Sequence, residues 1–243
     1  MPVFHWLMSE VVSWRYLGSA GAQYASDHQA DPGSKGYVFE LEYFLPYVKR
    51  SHILLDFGCG NGGLLRVLAT HVARADGLEV NARSADTARS LGFKVYSSLN
   101  ELPGTPTYDV VVSNHVLEHV RDVPGTLQCV RQSMKPDSLL LLKLPIDDWR
   151  SGYQKKWTTY DRNNHLHTWT PRLIANVLHE SGFNTESVRI LTSAWHPRLF
   201  PLVKLKLHWL GFWLLAIVKK RRQLFVVGRV GAEARSKTDH AQQ

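Results

Sequence analysis

Ile53-Leu54-Leu55-Asp56-Phe57-Gly58-Cys59-Gly60-Asn61-Gly62-Gly63 decides how this chain folds. Ile53–Phe57 is a short apolar run, the pattern of a strand covered on both faces. The glycines that follow let the backbone turn sharply and let a ligand lie directly against it. Leu64–His71 then reads as a helix. The free N–H groups at its start, near Gly62, face the same ligand. Strand, glycine turn and helix in that order place a binding site beyond the C-terminal end of a parallel strand.

Working outward, strands and helices alternate. Ala75–Val80 and Lys94–Tyr96 read as strands, with a helix over Ser84–Leu91 between them. Tyr108–Ser113 is a β-branched strand, followed by a helix from about Val123 to Met134 and a buried strand over Leu139–Leu144. Thr170–Ser181 is a helix with Thr170 as N-cap, Pro171 at its first position and Gly182 at its end. Gly33–Lys49 reads as a helix entering the domain, and Met1–Leu17 as another, retained because it lacks the basic start and cleavage site of a signal peptide. Such alternation predicts an α/β fold, a mostly parallel sheet with helices on both faces.

Two cofactors suit the glycine loop. Gly58, Gly60 and Gly63 satisfy the G-x-G-x-x-G spacing of dinucleotide sites. Glu79, about twenty residues on, can accept both hydroxyls of a ribose in either case. Asp56 separates the two: a carboxylate just before the glycines is awkward beside a pyrophosphate and suits a ligand carrying an ammonium and a sulfonium.

The stretch from Ile53 to Gly62 resembles the first motif of the class I S-adenosylmethionine-dependent methyltransferases. Tyr108–Glu118 followed by His119 is similar to that family's fourth-strand motif, and His165–Pro171 with the helix to Ser181-Gly182-Phe183 to a later segment. The resemblance runs from about Tyr37 to Ile190 and returns at Gln223–Val230. It implies a Rossmann-like fold of seven strands with the last antiparallel, S-adenosylmethionine as methyl donor and S-adenosylhomocysteine as product. It further implies that Asp56, Gly58, Cys59, Gly60 and Gly62 line the methionine end of the cofactor. Glu79 would bind ribose, Val80, Ser98 and Leu99 would lie near adenine, and Asn114 and His115 would face the methyl group. Cys59 reads as a small loop residue rather than a nucleophile, and Cys129 as core.

Methyl transfer to oxygen is an in-line displacement in which alignment does most of the work. A hydroxyl acceptor must also lose a proton, and histidine titrates in the right range. His115 is the candidate base by position, with His165 and His167 next; His119 reads as a structural hydrogen bonder. A metal is not expected, since no carboxylate has a supporting spacing to these histidines.

The chain has 243 residues and a formal charge of +8, unevenly spread. Arg198 to the end holds ten basic and two acidic residues, leaving 19 of each before it. The body is neutral and the C-terminal part seeks an anionic partner. One domain is expected over 1–243: an N-terminal helical lid (1–50), a cofactor-binding core (51–144), an acceptor loop (145–169), an apolar and basic insertion (199–222) and a flexible tail (231–243). The acceptor loop carries Trp149, Tyr153, Trp157, Tyr160 and Trp169 among Arg150, Lys155, Lys156 and Arg162. Leu199–Arg222 places Trp209 and Trp213 beside Lys219-Lys220-Arg221-Arg222, in an apolar run too short to span a bilayer. That matches an element lying in a membrane interface, and the alternative is a helix packed on protein. Two cysteines cannot build a disulfide framework, so a cytoplasmic protein is expected, peripheral on the inner face of a membrane. The acceptor expected is small or lipid-linked, a glycan sugar or a prenylated phenol. A nicotinamide-dependent oxidoreductase, a nucleic-acid methyltransferase and a cofactor-binding protein without catalysis are the alternatives. A neutral body argues against nucleic acid.

Overall fold

The computed structural model describes residues 12–28, 31–146, 163–194, 196–203 and 206–231. Seven strands form one sheet: β1 (Ile53–Phe57), β2 (Arg74–Leu78), β3 (Val95–Tyr96), β4 (Tyr108–Asn114), β5 (Met134–Pro145), β6 (Phe183–Leu191) and β7 (Gln223–Val230). Their order is β3-β2-β1-β4-β5-β7-β6. β1 to β5 pair in parallel, and β7 runs antiparallel to both β5 and β6. This is the sheet the family resemblance implies, with the last strand in sequence reversed.

Among the described residues, seven α-helices cover it: α1 (Gly18–His28), α2 (Gly36–Phe44), α3 (Gly63–Ala69), α4 (Ala82–Ser90), α5 (Val123–Gln132), α6 (Pro171–Glu180) and α7 (His208–Val218). Two apolar layers result. One packs Leu55, Val111, Leu140, Leu142 and Val226 under α5 and α6. The other packs Leu54, Val110, Val112, Leu141 and Phe225 under α2, α3 and α4. Adjacent residues such as Leu54 and Leu55 enter opposite layers because strand side chains alternate, which is why these strands are apolar throughout. Side-chain oxygens of Asn81, Asp122 and Thr170 cap α4, α5 and α6.

Several boundaries differ from the sequence expectation. The helix expected over Gly33–Lys49 ends at Phe44 and tightens into a 3-10 turn at Leu45–Tyr47, where Pro46 has no N–H to donate. The helix expected to reach Met134 stops at Gln132, and β5 starts at Met134, passing through Asp137 at positive φ before regular pairing at Leu139. The helix expected over Met1–Leu17 is not what Val12–Leu17 forms: Val12 bridges to Val120, and Trp14–Tyr16 is a 3-10 turn capped by Ser13. Residues 1–11 of that segment, the aromatic and basic residues 147–162 of the acceptor loop, and 232–243 of the tail lie outside the described residues. Cys129 is half-buried on α5 rather than in the core.

The Leu199–Arg222 segment joins β6 to β7. It forms a 3-10 stretch (Pro197–Val203) and then α7. Phe212 and Ala216 are its buried face, and Phe212 meets Phe39 of α2 edge-on at 4.9 Å. Leu210, Trp213, Leu214, Ile217 and Val218 are exposed.

Candidate active site

β1 and β4 are neighbours, but the chain leaves β1 toward β2 and leaves β4 toward β5. Their C-terminal loops therefore diverge, and a cleft opens between them. A cavity of about 360 Å³ lies there.

The glycine loop forms one wall. Gly58, Gly60 and Gly62 all have positive φ. At Gly58 a Cβ would come within 2.3 Å of Val116, so the position is closed to side chains on two counts. The N–H groups of Gly58 and Cys59 donate to the Leu78 carbonyl at 2.8 and 3.1 Å, tying the loop to the end of β2. The two carboxylate oxygens of Glu79 accept from the N–H groups of Gly60 (2.9 Å) and Asn81 (2.8 Å). Gly58, Cys59 and Gly60 line the cavity. Gly62 sits behind the loop as the N-cap of α3, where a Cβ would press on Ala88. The Cys59 thiol is buried, which pushes its pKa up, and packs against Gly77.

Asp56, next to last in β1, is 1% exposed, and its Oδ2 has no hydrogen-bond partner. Burial, and then the charge of Glu79, push its pKa up to about 7. A buried carboxylate aimed at a cavity without a partner is what an ammonium group would complete. At the other end Val80, Ser98 and Leu99 line the wall with Tyr16.

Asn114 and His115, at the tip of β4, form the third side. His115 is left-handed, with φ 57°, and its N–H donates to the Lys143 carbonyl at 2.8 Å. Its Nδ1 lies 3.3 Å from Oε1 of fully buried Glu118. Burial alone would raise the Glu118 pKa, but the imidazoles of His115, at 3.3 Å, and His119 hold it below the usual carboxylate range.

Of the other histidines, His119 is the hydrogen bonder expected, while His165 and His167 lie off the cavity wall. His119 lines the cavity, its Nδ1 2.6 Å from the Tyr16 hydroxyl, and burial pushes its pKa down. His165 packs against the His119 ring at 5.0 Å. His167 places Nε2 2.7 Å from the Val120 carbonyl and so holds backbone. Of the three candidate bases, only His115 is on the cavity wall. The expectation of no metal rested on sequence spacing. The fold brings ligand atoms of Glu118, His119 and His165 within 4.8 Å of one another, a donor set of the type that can hold a metal ion.

A second cavity, of about 290 Å³, shares Glu40 and His115 with the first. Glu40 of α2 forms a buried ion pair with Lys143 of β5, whose ammonium also lies 4.8 Å from the Tyr43 ring centroid. The sequence reading missed this pair. The signals were a lone lysine in the apolar run Leu139–Leu144 and a lone carboxylate on the apolar face of α2.

Residues 34–188 match a family described as a methyltransferase domain, which is well over half of the chain. The chain belongs to the S-adenosylmethionine-dependent methyltransferases. This methyltransferase is 32% identical over 152 residues to a ubiquinone biosynthesis O-methyltransferase of Rickettsia canadensis, covering 56% of this chain and 64% of the relative. It is 31% identical over 118 residues to one of Vibrio cholerae, covering 45% and 46%. The matched region is thus less than two thirds of either relative's length. Among solved structures, an S-adenosylmethionine-dependent methyltransferase from Mesorhizobium loti superposes with a TM-score of 0.58 at 18% identity, over 82% of this chain and all of that one. A phosphoethanolamine N-methyltransferase from Haemonchus contortus, in complex with S-adenosyl-L-methionine, gives 0.60 at 14%, over 91% and 59%. These two share the fold.

The methyltransferase wall fits the family's cofactor. Unpartnered Asp56 suits its ammonium, Glu79 its ribose hydroxyls, and the closely packed glycine loop its main body.

Proposed function

We propose that this methyltransferase methylates a hydroxyl oxygen of a small aromatic acceptor, with His115 as the general base. The observation that carries the reading is the place of His115, on the wall common to both cavities and backed by the Glu118 carboxylate. When bound, S-adenosylmethionine supplies a methyl carbon activated by its sulfonium. Asp56 and Glu79 hold the cofactor at its two polar ends. An acceptor in the second cavity would present its hydroxyl to His115, which would take the proton as the methyl passes from the sulfonium sulfur to the oxygen, the S–C bond breaking and S-adenosylhomocysteine leaving. Buried Glu118 stabilises the imidazolium. The names of the relatives support an oxygen acceptor of quinone type.

The same reading places the enzyme on a membrane surface. The exposed apolar residues of α7, with Lys219, Lys220 and Arg222 after it, suit an anionic lipid interface. Among the described residues, no helix is long and apolar enough to cross a membrane.

Calorimetric titration of S-adenosylhomocysteine, followed by a methyl-transfer assay with catechol acceptors, tests the reading. Saturable binding and a methyl ether product are expected. Tight binding of NADH without S-adenosylhomocysteine binding would refute it.

A further inference from the structure

The second cavity has a chemistry that the methyl-transfer reading does not use. Its apolar lining is aromatic: Phe39 and Tyr43 from α2, Trp209 and Phe212 from α7. Its polar lining has two parts. Lys143 is already committed to Glu40 and to the Tyr43 ring. Arg221 and Gln223 are not so committed: no side-chain hydrogen bond or ion pair of Arg221 is found among the described residues, and the buried Oε1 of Gln223 lacks a partner. Among the described residues, Glu40 is the one acidic residue of the lining, and it faces Lys143. Among the described residues, the lining therefore carries one uncompensated positive charge, that of Arg221.

Arg221 is held there by the way α7 ends. Lys220 takes a left-handed conformation, its N–H donates to the Ile217 carbonyl, and the Arg221 N–H reaches back to Ala216 at 2.9 Å. This paired closure is a Schellman motif. It fixes the backbone of Arg221 at the cavity mouth. A guanidinium so placed matches a carboxylate by two parallel hydrogen bonds.

We infer that the second cavity selects an aromatic acceptor carrying a carboxylate, with Arg221 as the residue that recognises it. Gln223 is placed to accept a hydrogen bond from a ring hydroxyl, and the aromatic walls stack on the ring. The inference rests on the methyl-transfer reading of His115 and adds the charge of the acceptor to it.

The test is calorimetric, on the full chain. S-adenosylhomocysteine is titrated first. With it saturating, 3,4-dihydroxybenzoate is compared with catechol. The acid is expected to bind wild-type protein at least about tenfold more tightly. Arg221→Gln should bring the two probes to parity, while Arg222→Gln, which removes the same charge one residue away, should keep most of the preference. Equal binding of both probes, binding of neither, or a preference that survives Arg221→Gln would overturn the inference. Failure of S-adenosylhomocysteine to bind would count against the methyl-transfer reading instead. The acid and catechol are then compared without it, and the same Arg221 dependence decides the charge selection on its own.

Discussion

The N–H of Gly60 donates to the Glu79 carboxylate at 2.9 Å, so the residue suited to ribose also holds the glycine loop. Its other oxygen holds the Asn81 N–H at the start of α4. Glu79→Ala removes both bonds to a charged acceptor. A loss of about 10-fold or more in S-adenosylhomocysteine affinity is expected, together with a lower melting temperature in the ligand-free protein. Calorimetry and a thermal melt measure the two effects separately. Unchanged affinity would show that Glu79 does not touch the cofactor.

Asp56 makes cofactor binding depend on pH. Its pKa of about 7 means that much of it is protonated just below neutrality, whereas an ammonium ligand requires the charged form. Affinity should therefore fall by roughly tenfold per pH unit below 7, and binding near pH 6 should release a proton. Calorimetry at pH 6 in buffers of different ionisation enthalpy reads that proton, and Asp56→Asn should abolish it. Stability of the ligand-free protein responds in the opposite direction. The folded state keeps this proton up to about pH 7, while the unfolded chain loses it near 4. The Asp56 contribution thus falls as pH rises from about 4 to 7.

His115 should matter for rate more than for binding. His115→Asn is expected to lower kcat by roughly 100-fold or more, with little change in S-adenosylhomocysteine affinity. It also removes the partner that keeps Glu118 below the usual carboxylate range. Because that pKa is depressed, the Glu118 contribution to stability is present above the unfolded value and lost as pH falls through the folded one. A melting series from about pH 4.5 down to pH 3, where this contribution is lost, should show wild-type protein losing stability toward acid, and His115→Asn losing less because it starts lower. Unaltered kcat in the variant would exclude His115 as the base.

Lys220 occupies a left-handed position at the end of α7 that glycine fills without strain. Lys220→Gly should stabilise the protein by about 1 kcal/mol, or about 2–4 °C in melting temperature for a chain of this size. A thermal melt decides it. A destabilised variant would mean that the lysine side chain makes contacts worth more than the strain.

The outer face of α7 predicts membrane attachment. The protein should float with vesicles containing anionic lipid and detach as salt rises, since each basic residue contributes roughly 1 kcal/mol near such a surface. Trp213→Glu with Leu214→Glu should abolish flotation and leave S-adenosylhomocysteine binding intact, because both residues point away from the cavities. Flotation unchanged in the double variant would refute the attachment.

Local chemistry marked the first five strands, the glycine loop and the starts of α3, α5 and α6, whereas the last two strands and the seven-stranded sheet came from the family resemblance. Apolar runs such as Ile53–Phe57 and Leu139–Leu144 have one stable fate, and Asn81, Asp122 and Thr170 cap helices through bonds made within a few residues. Asp56, the glycines and Glu79 were legible because they are close in sequence or end neighbouring strands. Only the tertiary structure decided the acceptor side and the choice among histidines. Glu40 meets Lys143 across 103 residues, and Tyr16 meets His119 across the same separation. His115, His165 and His167 look alike as residue types. One lies on the cavity wall, one packs on His119 and one holds the Val120 carbonyl, because each is positioned by a different loop leaving the sheet. Periodicity and spacing report what a residue does for its own element, whereas a cavity is made by side chains that long-range packing brings together.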